Sequence, residues 1–124
     1  MSFSETLDRI VREAGGGVAA VLMGRDGIAI EQVQSVDPAL AGHVDDIGVA
    51  GVEFGRIVEE ARKAADALDG GLPRECIFVL QRLTLLVHAI DSENFVVLAL
   101  APDGNLGKAR YLLRRHALAI REEL

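Results

Sequence analysis

A chain of 124 residues fits one domain, and half of its residues are apolar, enough for a genuine core. With four Phe, one Tyr and no Trp, that core must be built from Val, Leu, Ile and Ala, leaving little to stack on a base or grip a sugar. The net charge of −6, from 19 acidic against 13 basic residues, argues against nucleic-acid binding, which draws on a basic surface that releases counterions.

The densest basic group, Arg110, Arg114 and Arg115, is followed by Glu122 and Glu123 and reads as a solvated helix face. The one cysteine, Cys76, sits in the apolar run Cys76-Ile77-Phe78-Val79-Leu80. It cannot form an internal disulfide and reads as a small hydrophobe rather than a nucleophile. The start, Met-Ser-Phe-Ser-Glu, lacks the features of a signal peptide, and no apolar run approaches the roughly 18–20 residues that span a bilayer. A cytoplasmic protein is expected.

In chain order, Leu7, Ile10, Val11 and Ala14 give residues 4–14 the spacing of an amphipathic helix. Ser2 or Ser4 can cap it, and Gly15-Gly16-Gly17 ends it. Val18 to Met23 is almost wholly apolar, a strand buried on both faces. Arg25-Asp26-Gly27 signals a hairpin turn into a second strand, Ile28 to Val33, whose Glu31 and Gln32 suit a sheet edge. Residues 35–45 read as a loop. From about Asp46 to Leu68 a helical stripe runs through Ile47, Gly51, Phe54, Val58, Ala61, Ala65 and Leu68. A second stripe of small residues, Gly48, Val52 and Gly55, turns charged at Glu59 and Arg62. Two apolar faces call for two packing partners, and close backbone approach would offset the low helix propensity of the glycines.

After the breaker Asp69-Gly70-Gly71-Leu72-Pro73, three strands are predicted: Glu75 to Gln81, Leu83 to Ile90 and Phe95 to Ala101. Asp91-Ser92-Glu93-Asn94 turns the last hairpin. Phe95 to Leu100 has no polar alternation and belongs in the middle of the sheet. A final helix starts at Leu106, with Ala109, Leu112, Leu113, His116, Ala117, Ile120 and Leu124 on one side. The order α-β-β-α-β-β-β-α describes a single α+β domain over residues 1–124.

The chemistry-bearing residues do not assemble into a reaction centre. Gly107-Lys108 opens a helix after a strand, as in a phosphate-binding loop, but Pro102 replaces the first glycine and Ala109 the magnesium-ligating hydroxyl. His43, His88 and His116 fall in a loop, a strand and a helix, without metal-ligand spacing. Thr84 and His88 share a strand face but stand about 13 Å apart, too far to share a proton. Neither metal nor cofactor is expected, and the chain is not expected to be an enzyme.

The opening helix, the Arg25-Asp26-Gly27 hairpin and the small-residue long helix resemble the Roadblock family, the dynein light-chain type also found as bacterial MglB-like proteins. So does the start of the last helix, Asn105-Leu106-Gly107-Lys108-Ala109-Arg110-Tyr111-Leu112-Leu113, with its Gly-x-x-Arg stretch. The resemblance covers essentially the whole chain. It implies a five-stranded antiparallel sheet with three helices, the long second helix on one face and the terminal helices on the other. It also implies a homodimer in which the third strands pair and the long helices lie side by side, with Gly48, Val52, Gly55, Cys76, Phe78 and Leu80 at the interface.

MglB-like members bind the GTP form of a small Ras-like GTPase and stimulate hydrolysis without inserting an arginine. The corresponding contacts here would be Val52, Gly55, Arg56 and Glu59. A non-stimulating adaptor is the first alternative. A PAS-like small-molecule sensor is the second, since such domains also combine a five-stranded sheet with helices.

Overall fold

A computed structural model describes residues 2–42 and 46–124; His43 lies outside them. The helices are α1 (Phe3–Glu13), α2 (Pro38–Ala41), α3 (Ile47–Asp66) and α4 (Leu106–Glu123). The strands are β1 (Gly17–Gly24), β2 (Ala29–Gln34), β3 (Glu75–Val79), β4 (Thr84–Ala89) and β5 (Asn94–Leu100). They form one antiparallel sheet in the order β2-β1-β5-β4-β3.

The apolar runs take the inner places. β1 is buried along its whole length and β5 is buried from Phe95 to Leu100, because both faces are covered. On one face Leu22, Leu86, Val96 and Leu98 pack with Leu7 and Ile10 of α1 and Leu112 and Leu113 of α4. On the other, Val21, Met23, Leu85 and Val97 pack beneath Ile47, Val52, Phe54 and Val58 of α3. Alternation along each strand divides its side chains between the two layers.

Local chemistry fixes the ends. The Ser2 hydroxyl accepts from the Glu5 N–H at 3.2 Å and caps α1, and the Asn105 side chain caps α4 by accepting from the Lys108 N–H at 3.0 Å. The β1–β2 turn places Gly27 at φ +87°, where Asp26 Oδ1 accepts from the Ile28 N–H. Asp91 accepts from the N–H groups of Glu93 and Asn94, an Asx turn that joins β4 to β5.

Two expectations are corrected. The segment read as loop over residues 35–45 contains the single turn of α2, started by Asp37, whose side chain accepts from the Ala39 N–H, with Pro38 pre-set for the first helical position. The long stripe on α3 is only half used. Ile47 and Gly51 are buried and Phe54 and Val58 partly so, but Ala61 is exposed and Leu68, past the helix end, is 83% exposed. A 20-residue helix is about 30 Å long, more than the roughly 19 Å across five strands, so periodicity continues where covering stops.

His88 lies in β4, opposite Glu75 of β3, on the face that carries α4. It is 9% exposed; among the described residues its Nδ1 has no hydrogen-bond partner, and it stands 3.6 Å from Oε2 of Glu75, which accepts from Arg110 Nε through Oε1 at 2.5 Å. Burial pushes the His88 pKa below its usual 6.5, and Arg114 and Arg74 push the same way against Glu75. His116 is lowered too, by burial and then by Arg115 and Arg9. A depressed folded-state pKa means that the unfolded chain binds the proton first. Stability is therefore complete above about pH 6.5 and falls as the pH drops below it, before most carboxylates titrate. Urea denaturation at a series of pH values checks this, and His88→Gln should flatten the slope. A stability that rises between about pH 7 and 5 would contradict the assignment.

Candidate functional site

The α3 face ends in a groove of about 260 Å³ between the helix and the sheet end where both hairpins turn. Met23, Gly51, Gly55 and Phe95 form its apolar floor, and Arg25, Arg56, Glu59, Arg62 and Asp91 stand on its rim. Glycine makes the floor possible. A Cβ on Gly51 would lie 2.9 Å from Met23 Cε, and one on Gly55 would lie 3.0 Å from Phe95 Cζ. The helix backbone therefore rests almost directly on side chains of β1 and β5.

A charge network closes the rim. Arg25, in the β1–β2 turn, donates from Nη2 to Glu59 Oε2 at 2.6 Å, from Nη1 to the Ser92 carbonyl at 3.0 Å, and from its backbone N–H to the Glu93 carbonyl at 2.8 Å. Arg62 Nη2 donates to Glu59 Oε1 at 2.7 Å, and Arg62 Nη1 to Asp66 Oδ2 at 3.3 Å. One arginine thus ties both hairpin turns to the helix. The two guanidiniums, Arg62 first and Arg25 second, hold the Glu59 carboxyl down to about 2, so the network persists throughout the neutral range.

Val52, Gly55, Arg56 and Glu59 all border this groove. Val52 is partly buried, and Arg56 is exposed and, among the described residues, pairs only with Glu53 of its own helix, at 3.5 Å. Sequence reasoning missed Arg25, Phe95 and Met23, which are remote in the chain. The i, i+3 pair Glu59–Arg62 was a legible signal for part of the network.

The residues expected at a subunit interface separate. Cys76 and Phe78 lie on the α3 side of β3, an outer strand of the sheet, and Leu80 follows it at 44% exposure. Gly48 lies over the opposite edge, where its missing Cβ would meet Gln32 Oε1 of β2 at 3.2 Å. Gly48 and Gly55 therefore face their own sheet, and the close approach they permit is intramolecular. The α3 side chain that reaches β3 is Phe54, whose ring lies 4.8 Å from that of Phe78. Cys76 has its thiol pKa raised by burial and then by Glu75, which disfavours the reactive thiolate.

No family model matches the chain. No curated protein matches it significantly either. Among solved structures, MglC from Myxococcus xanthus is 34% identical over 100% of both chains, with a TM-score of 0.71. The chain belongs to the Roadblock family. This Roadblock domain also superposes on the gliding protein MglB from Thermus thermophilus with a TM-score of 0.85, at 19% identity, over 96% of this chain and 85% of that one. A Roadblock/LC7 domain from Streptomyces avermitilis gives 0.81 at 15% identity, over 98% and 97% of the two chains. At those identities the likeness establishes the shared fold. Among the described residues, no helix is long and apolar enough to cross a membrane.

Proposed function

We propose that this Roadblock domain is a self-associating, cytoplasmic regulator of a small Ras-like GTPase, which binds the GTP form through the α3 groove and acts without active-site residues of its own. The observation that carries the reading is the convergence of Val52, Gly55, Arg56 and Glu59 on one groove, with an apolar floor and a rim fixed by Arg25, Glu59 and Arg62. A floor for one apolar side chain, ringed by charges of both signs, suits a protein partner better than a freely diffusing metabolite.

Self-association is assigned to β3. Among the described residues its outer edge has no strand partner, and Ile77, Val79 and Leu80 are exposed there. Such an edge is an aggregation hazard unless another strand covers it. Pairing of two copies along β3 would bring together Cys76, Phe78 and Leu80, with Phe54 the nearest α3 side chain. Sedimentation at micromolar concentration should give about twice the 13.3 kDa chain mass; a monomer there would overturn this part.

The regulatory reading is tested by adding the domain to a Ras-like GTPase loaded with GTP and following binding and phosphate release. Glu59→Lys would set a third cation beside Arg25 and Arg62, and should weaken binding by about tenfold or more through like-charge contact. Absence of saturable binding to the GTP form sinks the proposal. Binding without faster phosphate release would identify the adaptor instead.

A further inference from the structure

The charges on the rim of the α3 groove are not equally available. Glu59 accepts from both Arg25 and Arg62, and Arg62 also reaches Asp66. Asp26 accepts from the Ile28 N–H, and Asp91 from the N–H groups of Glu93 and Asn94, so both aspartates are committed to their own turns. Arg56 is the exception. Its side chain is 73% exposed, and among the described residues its one ion pair is the 3.5 Å contact with Glu53, itself 62% exposed. A pair that long and that well solvated contributes little, so Arg56 can give it up for a carboxylate brought from outside. The groove therefore offers one available guanidinium beside its apolar floor.

Volume narrows what that floor can take. An apolar cavity of about 150 Å³ holds a benzene ring, and sites for drug-sized ligands run to roughly 300–1,000 Å³. At about 260 Å³ the groove has room for one ring and little more. Its lining favours a ring as well. Met23 and Phe95 are register partners on β1 and β5, and the tip of the Phe95 ring faces the bare backbone of Gly55. An aromatic side chain gains beyond simple burial against both neighbours, through sulfur contacts and edge-to-face packing.

We infer that the groove recognises an aromatic side chain with a carboxylate beside it, the ring seated on Met23 and Phe95 and the carboxylate on Arg56, an assignment that rests on the groove being the partner site proposed above. A planar guanidinium suits a carboxylate in particular. A lysine in its place would meet Arg56 with a like charge, and an alanine in place of the ring would leave the floor unfilled. The net charge of −6 favours a cationic peptide at long range, so any preference for an acidic one reports the local contact at Arg56.

The test titrates the full chain with the blocked peptide acetyl-Glu-Phe-Glu-amide and follows amide NMR shifts. Acetyl-Lys-Phe-Lys-amide, acetyl-Glu-Ala-Glu-amide and phenylacetate serve as comparisons. Saturable shifts are expected at Gly51, Gly55 and Arg56 with the first peptide, and binding of the lysine and alanine peptides should be weaker by about tenfold. In Arg56→Glu the preference between the glutamate and lysine peptides should invert. No saturable shift, equal binding of the alanine peptide, a preference of the parent chain for the lysine peptide, or no inversion in Arg56→Glu would each overturn the inference. So would phenylacetate binding as tightly as the glutamate peptide, which would assign the groove to a free small molecule. Peptide binding at the groove without binding of a GTP-loaded GTPase would overturn the GTPase reading and leave the aromatic anchor standing. GTPase binding that is lost in Glu59→Lys, with no peptide binding, would do the reverse.

Discussion

Gly17→Ala should be among the most damaging single substitutions in this domain, because the added methyl would collide with backbone. A Cβ on Gly17 would run into the carbonyl oxygen of Val11 and stand 3.0 Å from its carbonyl carbon. Gly17 opens β1 directly beneath the end of α1, and the helix backbone cannot move aside without dragging Leu7 and Ile10 out of the core. Overpacking into a well-packed interior commonly costs about 1–3 kcal/mol, and a backbone obstacle puts this case at the upper end or beyond. The melting temperature should fall by roughly 10 °C. Thermal unfolding that matches the parent would show that α1 does not seat on β1 as described.

Gly55→Leu is the second, and its sign carries functional meaning. The new side chain would be driven into the ring of Phe95, itself 9% exposed and confined by β1 and α3. The expected loss is again about 1–3 kcal/mol. It should not change with protein concentration, since both partners belong to one chain. A glycine on a merely solvated helix face would respond in the opposite way, gaining up to about 1 kcal/mol of helix propensity. Because Gly55 also floors the groove, the variant should lose the GTPase binding proposed above even where it remains folded. Denaturation at several protein concentrations separates the possibilities: a loss that appears only as dimers dissociate would move Gly55 to a subunit contact.

These two glycines show where the sequence was legible. Runs such as Val18 to Met23 and Phe95 to Leu100 carry no polar alternation, and they lie side by side in the interior of the sheet because nothing else buries both faces of a strand. Glu31 and Gln32 marked β2 as an edge for the same reason in reverse. The small residues of α3 announced that something approaches closely, but spacing alone does not say from which side. Gly48 and Gly55 turned out to meet Gln32 and Phe95 of their own chain. The groove was half legible. Its helix residues were named, whereas Arg25 and Phe95 reach it only through sheet register, which brings together positions some 70 residues apart. α2 was hidden because one turn of helix carries no period, and Asp37-Pro38 reads equally well as a turn.

The two outer strands differ in a way that bears on assembly size. β2 carries the charge of Glu31, which disfavours pairing with an identical strand, whereas β3 offers the apolar run Cys76, Ile77, Phe78 and Val79. If the proposed pairing through β3 holds, the domain is, in the language of polymerisation, monofunctional, with one reactive end. A unit with two permissive edges could add neighbours indefinitely and grow into a fibre, whereas a unit with one is capped by its first addition. Edge pairing between copies of this chain would therefore terminate at two, and larger assemblies would have to be built through the helical faces.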